Sequence, residues 1–187
     1  DIFGNLFRNA EPMGATGTRA RPRRKRALEY PTEITLEEAF NGTTRLLQLD
    51  ERRLEVKIPP GVDTGSKVRV AAGGPEGGAE IHLVISVRPH AQFERKGDDL
   101  HVEIPVPLTD AILGGEVQVP TLKGAKLALK IPPETQNGKS IRLARQGMPR
   151  LNTSERGDLY AKVRIVLPTN LTEKEKKLFE ELRSLRK

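Results

Sequence analysis

Cysteine is absent from all 187 residues, which excludes disulfides, thiol chemistry and Cys-ligated zinc. Tryptophan is absent too, and aromatic residues make up only 4% of the chain. No apolar run approaches the roughly 20 residues that a membrane-spanning helix needs. No signal peptide is visible, and a chain opening on Asp1 rather than Met is expected to be a fragment. What is present is a hydrophobic content of 36% and a charged content of 30%, enough for one domain or two small ones. The 17 Gly and 14 Pro favour many turns and short strands.

The net charge of +7 is local. The run RARPRRKR, Arg19–Arg26, carries six positive charges and no negative one, so the rest of the chain is near +1. With its small and polar neighbours it reads as a flexible linker over 9–27. The alternative is weak nucleic-acid contact through phosphate. Ahead of it, DIFGNLF places Ile2, Phe3, Leu6 and Phe7 together, an apolar arm able to occupy an apolar groove.

Past the linker the chain repeats itself. LEVKIPPGVDTGSKVRVAAGG (54–74) returns 73 residues later as LALKIPPETQNGKSIRLARQG (127–147). In each copy a strand alternates apolar and polar residues, as in Leu54, Val56 and Ile58. Two prolines, which cannot donate to a ladder, end it. A turn on DTG or QNG follows, and a second strand, VRV or IRL, is expected to return antiparallel. Upstream, ITLEEAFNG (34–42) matches VPLTDAILGG (106–115), each a short helix closed by Gly. Thr35 and Glu38 have the spacing of a capping box. Downstream, GGAEIHLVISVRP (77–89) matches RGDLYAKVRIVLP (156–168), each a strand ended by Pro.

The fold class is therefore mainly β: two tandem homologous small β-sandwich lobes with short helical turns, then a C-terminal α-helix. The expected divisions are a flexible segment at 1–27, lobe I at 28–103, lobe II at 104–170 and a helix at 171–187. That helix has Thr172 and Glu175 in capping-box spacing and Glu173 and Lys177 as an i,i+4 pair. Leu178, Leu182 and Leu185 form a stripe, with Phe179 beside it, for packing on lobe II or on a second chain.

No constellation nominates catalysis. His82, His90 and His101 are scattered, and Gly97-Asp98-Asp99 reads first as a turn. GGPEGG (73–78) lacks the Lys-Ser/Thr ending of a phosphate loop. There is no Gly-x-Ser-x-Gly elbow. The chain reads as a binding module without cofactor or metal.

LEVKIPPGVDTGSKVRV, FERKGDDLHVEIPVPLTDAILGGEVQVPTLKG, LKIPPETQNGKSIRLARQGMP and RGDLYAKVRIVLPTNLTEKEKKLFEEL together resemble the C-terminal region of DnaJ-type co-chaperones, across roughly 28–187. DIFGNLF looks like the end of that family's Gly/Phe-rich segment. The sequence has no His-Pro-Asp motif of a J domain and no Cys-x-x-Cys-x-Gly-x-Gly zinc repeats, so the resemblance is to the zinc-free class. It implies a homodimeric, cytoplasmic stress-response module that binds non-native polypeptide and hands it to a DnaK-type chaperone. It implies a client groove in lobe I, where an extended segment adds as a strand. Leu47 and Leu49 would share the face of its groove strand, Tyr30 and Thr32 the facing strand, and Phe93 the rim. Leu46, on the other face, reads as an ordinary core position. Arg45, Arg52 and Arg53 would meet the acidic tail of the DnaK-type partner. Leu178, Phe179, Leu182 and Leu185 would form the dimer contact.

Overall fold

A computed structural model describes residues 28–49, 52–70 and 81–186. The apolar arm, the basic run and GGPEGG lie outside the described residues. The alternating pattern produces eleven short strands and three helices among the described residues. In the first copy these are β1 (Leu28–Ile34), α1 (Leu36–Asn41), β2 (Thr43–Leu49), β3 (Arg52–Ile58), β4 (Lys67–Val70) and β5 (Ile81–Val87). β6 (Phe93–Lys96) follows. The second copy has β7 (Asp99–Pro107), α2 (Leu108–Leu113), β8 (Gly115–Pro120), β9 (Lys126–Ile131), β10 (Ser140–Leu143) and β11 (Leu159–Val166). The chain closes on α3 (Glu173–Leu185).

Each copy pairs one sheet with one hairpin. The first has a sheet ordered β1-β5-β4 and the hairpin β2-β3; the second has β10-β11-β7-β6 and the hairpin β8-β9. In both, the first and last strands of the copy run parallel, β1 with β5 and β7 with β11. Inward residues alternate along every central strand. Ile81, Leu83 and Ile85 are buried on β5, and Leu159, Ala161 and Val163 on β11. This is the period-2 pattern of a sheet with one face on a core.

The strands on either side of Pro-Pro do not pair with each other. Among the described residues β3 pairs only with β2, while β4 pairs antiparallel with β5, Val70 opposite Ile81. The intervening residues 59–66 are too long for a tight hairpin, and prolines that cannot donate give the chain no reason to continue the ladder. They carry it from the hairpin layer to the sheet layer instead, and 132–139 do the same in the second copy.

The boundary expected between 103 and 104 falls inside β7, which pairs with β11 from Leu100 to Pro107. Residues 93–103 therefore belong to the second sheet. Gly97, at φ 63°, makes the β6–β7 turn, and the break between the sheets comes at 88–92.

The two copies meet through specific groups. The Arg95 guanidinium donates to the carbonyls of Val62 (2.6 Å) and Gly61 (3.3 Å), and its Nε donates to Gly97 O (2.8 Å). Its side chain is only 9% exposed, with Asp63 3.6 Å away. Burial lowers its pKa, an effect that the Asp63 and Asp98 carboxylates oppose. From the loop between β10 and β11, the Arg156 guanidinium lies 4.8 Å over the ring of Phe40 on α1.

Candidate binding groove

The corner that joins β1 to β2 begins with the capping box. Thr35 Oγ1 accepts from the Glu38 N–H (3.2 Å), and Glu38 Oε2 accepts from the Thr35 N–H (2.9 Å). This starts α1 immediately after β1. Glu38 has a second role that the motif alone does not reveal. Its carboxylate also accepts from Arg45 Nη2 at 2.8 and 2.9 Å, and from Thr43 Oγ1 at 3.5 Å. One carboxylate thus ties the end of β1 to the start of β2.

Both strands offer an open edge. Among the described residues β1 bonds only to β5, and β2 only to β3. Tyr30 and Thr32 point inward from β1 and are half-buried, Tyr30 packing on the core. Leu47 points inward from β2, is half-buried and packs on the same core. Leu49 shares its strand face by parity; its side chain and that of Arg52 lie outside the described residues.

Leu46 is not a core position. It stands 72% exposed, opposite Glu55. The hairpin register explains this. Val56 and Ile58 are buried, and their partners Arg45 and Thr43 fix the odd-numbered residues of β2 inward.

Phe93 is not brought to these residues. It is 6% exposed, and its ring centroid lies 5.2 Å from that of His90. It borders a cleft of about 330 Å3 with Leu36, Val87, Pro89 and His90, a cleft that Tyr30, Thr32 and Leu47 do not line. Its place is the junction between the copies. His90 Nδ1 accepts from the N–H groups of Gln92 and Phe93, so its Nε2 carries the proton and donates to Glu37 at 3.0 Å. A hydrogen bond from its own backbone N–H holds the Glu37 carboxyl below its ordinary value, with Thr35 and His90 helping and desolvation opposing.

Arg45 and Arg53 do not converge either. Arg45 is turned inward and held by Glu38, which removes it from service to a partner's tail. Arg53 is exposed on the outward face, in register with Gln48. The carboxylates of the β6–β7 turn are structural. Asp98 accepts from Arg150 Nε (3.0 Å), and Asp99 accepts from the Asp158 N–H (2.7 Å). Among the described residues no three His, Asp or Glu side chains are grouped to hold a metal ion. No helix there is long and apolar enough to cross a membrane.

On α3, Thr172 and Glu175 form the capping box, but Glu173 pairs with Lys176 at i+3 (2.8 Å) rather than with Lys177. No residue of this helix is buried. Leu178 and Leu185 are 56% and 77% exposed, Phe179 and Leu182 37% and 45%. The last two border an open cleft of about 720 Å3 with Ala111, Ile112 and Ile165 of the second copy.

Two tandem β-sheet lobes, the first with an open strand edge beside half-buried apolar residues, are followed by an exposed amphipathic helix. The family model of the DnaJ C terminal domain matches residues 28–168. The chain belongs to the DnaJ C-terminal domain family. It is 40% identical over 184 residues to chaperone protein DnaJ 2 of Thermus thermophilus, covering 97% of this chain and 64% of that protein. It is 45% identical over 142 residues to chaperone protein DnaJ of Roseiflexus sp., covering 73% of this chain and 38% of that protein. A third relative, chaperone protein DnaJ 2 of Aquifex aeolicus, is 44% identical over 142 residues, covering 72% and 37%. The chain thus spans less than two thirds of the length of these relatives.

Proposed function

We propose that this chain is the client-holding part of a cytoplasmic co-chaperone. An extended apolar segment of a non-native polypeptide adds along the open edge of β2, its side chains set against Tyr30, Thr32, Leu47 and Leu49, and is passed to a DnaK-type chaperone. Backbone pairing makes such capture tolerant of sequence, and the apolar wall supplies the preference.

One observation carries this reading: the residues that line this corner are buried in one copy and half-exposed in the other. The counterparts of Tyr30, Thr32 and Leu47 are Val102, Ile104 and Val119, exposed by 4%, 1% and 0%. In the second copy β6 pairs along β7, the counterpart of β1, while β8, the counterpart of β2, bonds only to β9 among the described residues. The first copy differs in keeping the corner half-exposed and the edge of β1 free. Burying one leucine side chain contributes about 1.5–3 kcal/mol, so two or three client side chains suffice for useful affinity before ordering costs.

The apolar stripe of α3 is the dimer contact in this reading. A two-fold dimer would set two grooves on one client and raise avidity without new contacts. The test is suppression of client aggregation without ATP, comparing the wild-type chain with Leu47→Ser combined with Leu49→Ser. A folded double variant that holds client as well as the wild type would remove the groove from these residues. A titration with salt separates the nucleic-acid alternative, because phosphate binding falls steeply with salt and apolar capture does not.

A further inference from the structure

We infer that the second lobe sets the geometry of the first lobe's groove, with Arg156 and Arg95 as positioning residues for client binding. This rests on the groove reading above and adds residues that touch no client.

The coupling runs through contacts already described. Arg156 clamps Phe40, which is only 4% exposed. The Nη1 of Arg156 is buried without a hydrogen-bond partner, so the ring face is what compensates that group. Phe40 and Glu38 share α1, and Glu38 holds both Thr35 at the end of β1 and Arg45 on β2. From the other side, the Gly61 N–H donates to Ala39 O of α1 at 2.8 Å. Gly61 is itself pressed on the second lobe: a Cβ built there would lie 2.6 Å from Pro149 O and 2.9 Å from Leu151 N. Arg95 then caps the carbonyls of Gly61 and Val62. The helix that spaces the two groove strands is therefore gripped by the second lobe directly at Phe40 and, through residues 61–62, at Ala39.

The repeat supplies an internal comparison. In the second copy Ala39 is kept as Ala111, but the residues of the clamp and the tie are different. Phe40 becomes Ile112, 46% exposed, and Gly61 becomes Glu134, which keeps the left-handed turn at φ 59° but lies open. Glu38 and Arg45 become Asp110 and Val117, so the tie between the strands is missing as well. The same turn built twice carries the clamp and the tie only in the copy whose corner is half-exposed.

The experiment uses the full chain and a fluorescent extended apolar peptide, with dissociation constants from anisotropy and backbone amide shifts of β1 and β2 from NMR. Arg156→Ala is expected to weaken the peptide about 5- to 10-fold, the low end of the usual range for coupling between sites. It should also shift the amides of Arg45 and Leu47 without loss of the folded spectrum. Arg156→Lys keeps a cation over the ring and is expected to stay within about twofold of wild type. Gly61→Ala, which wedges the junction, is expected to act like Arg156→Ala and serves if that variant does not fold. Wild-type affinity and unmoved β2 amides in both folded variants would overturn the inference. If the wild type itself bound no peptide while the β2 amides still moved in the variants, the groove reading would fail and the mechanical coupling would stand.

Discussion

Removing the Glu38 carboxylate by Glu38→Ala tests the corner that joins β1 to β2. Glu38 accepts from the Thr35 N–H at 2.9 Å and from Arg45 Nη2 at 2.8 and 2.9 Å. Losing the return half of a capping box costs on the order of 0.5–1 kcal/mol, within the range for N-cap changes. The Arg45–Glu38 pair is partly exposed, 39% and 28%, so its Coulomb part is screened, and about 1 kcal/mol is a fair share for it. The Arg45 Nε is buried without a partner in the wild type already, so it adds nothing to the difference. The total is about 1.5–2 kcal/mol. For a chain of this size that lowers Tm by roughly 3–8 °C. Glu38→Gln, which can still accept from Thr35, should lose only about half as much. Urea and thermal unfolding of the three proteins measure both. A loss below about 0.5 kcal/mol for the alanine variant would refute the argument that one carboxylate braces both strands. Restoration by the added change Arg45→Met would support it, because no buried cation is then left unpaired.

Three further outcomes follow from the same geometry. Sedimentation of a chain ending at Asn170 should give a monomer where the intact chain is dimeric at micromolar concentration; a monomer in both cases rejects the α3 contact. Asp158 is held below its ordinary pKa by the Arg145 N–H and then by Arg142, whose Nε donates at 2.6 Å. Its contribution is therefore complete above the unfolded value and is lost as pH falls through the depressed folded one, so Asp158→Asn should flatten the acid limb of stability below about pH 4; an unchanged limb counts against it. A Cβ on Gly157 would lie 2.0 Å from Asp98 O, backbone against backbone, so Gly157→Ala should cost several kcal/mol, at the high end for one substitution, and chemical denaturation will show whether it does.

Much of this protein was readable from local chemistry. The duplication, the two capping boxes, the helices closed by Gly42 and Gly114, and the alternating strands all depend on residues within a few positions of one another, and those interactions act before any tertiary contact forms. Amphipathic α3 was readable for the same reason, its stripe being a matter of spacing along one helix. Strand pairing was not. The sequence pattern has VRV folding back on the strand before Pro-Pro, and it pairs instead with Ile81–Leu83, because a period-2 pattern says which face is buried but not which neighbour shares the ladder. Leu46 and Leu47 could be assigned to opposite faces by parity, yet only the register with Val56 and Ile58 decided which face was the core. Phe93 was placed at the groove by resemblance; the β6–β7 hairpin carries it to the junction, since that hairpin belongs to the second sheet. The charges behaved likewise. Arg45 looked free along the chain and is bound to Glu38, seven residues back and on another element, and Arg156 meets Phe40 across 116 positions of sequence. Sequence determined the elements and their repetition, because these are short-range. Only the packed molecule decided which edge stays open and what braces it, because those answers depend on which distant residues the fold brings within a few ångströms.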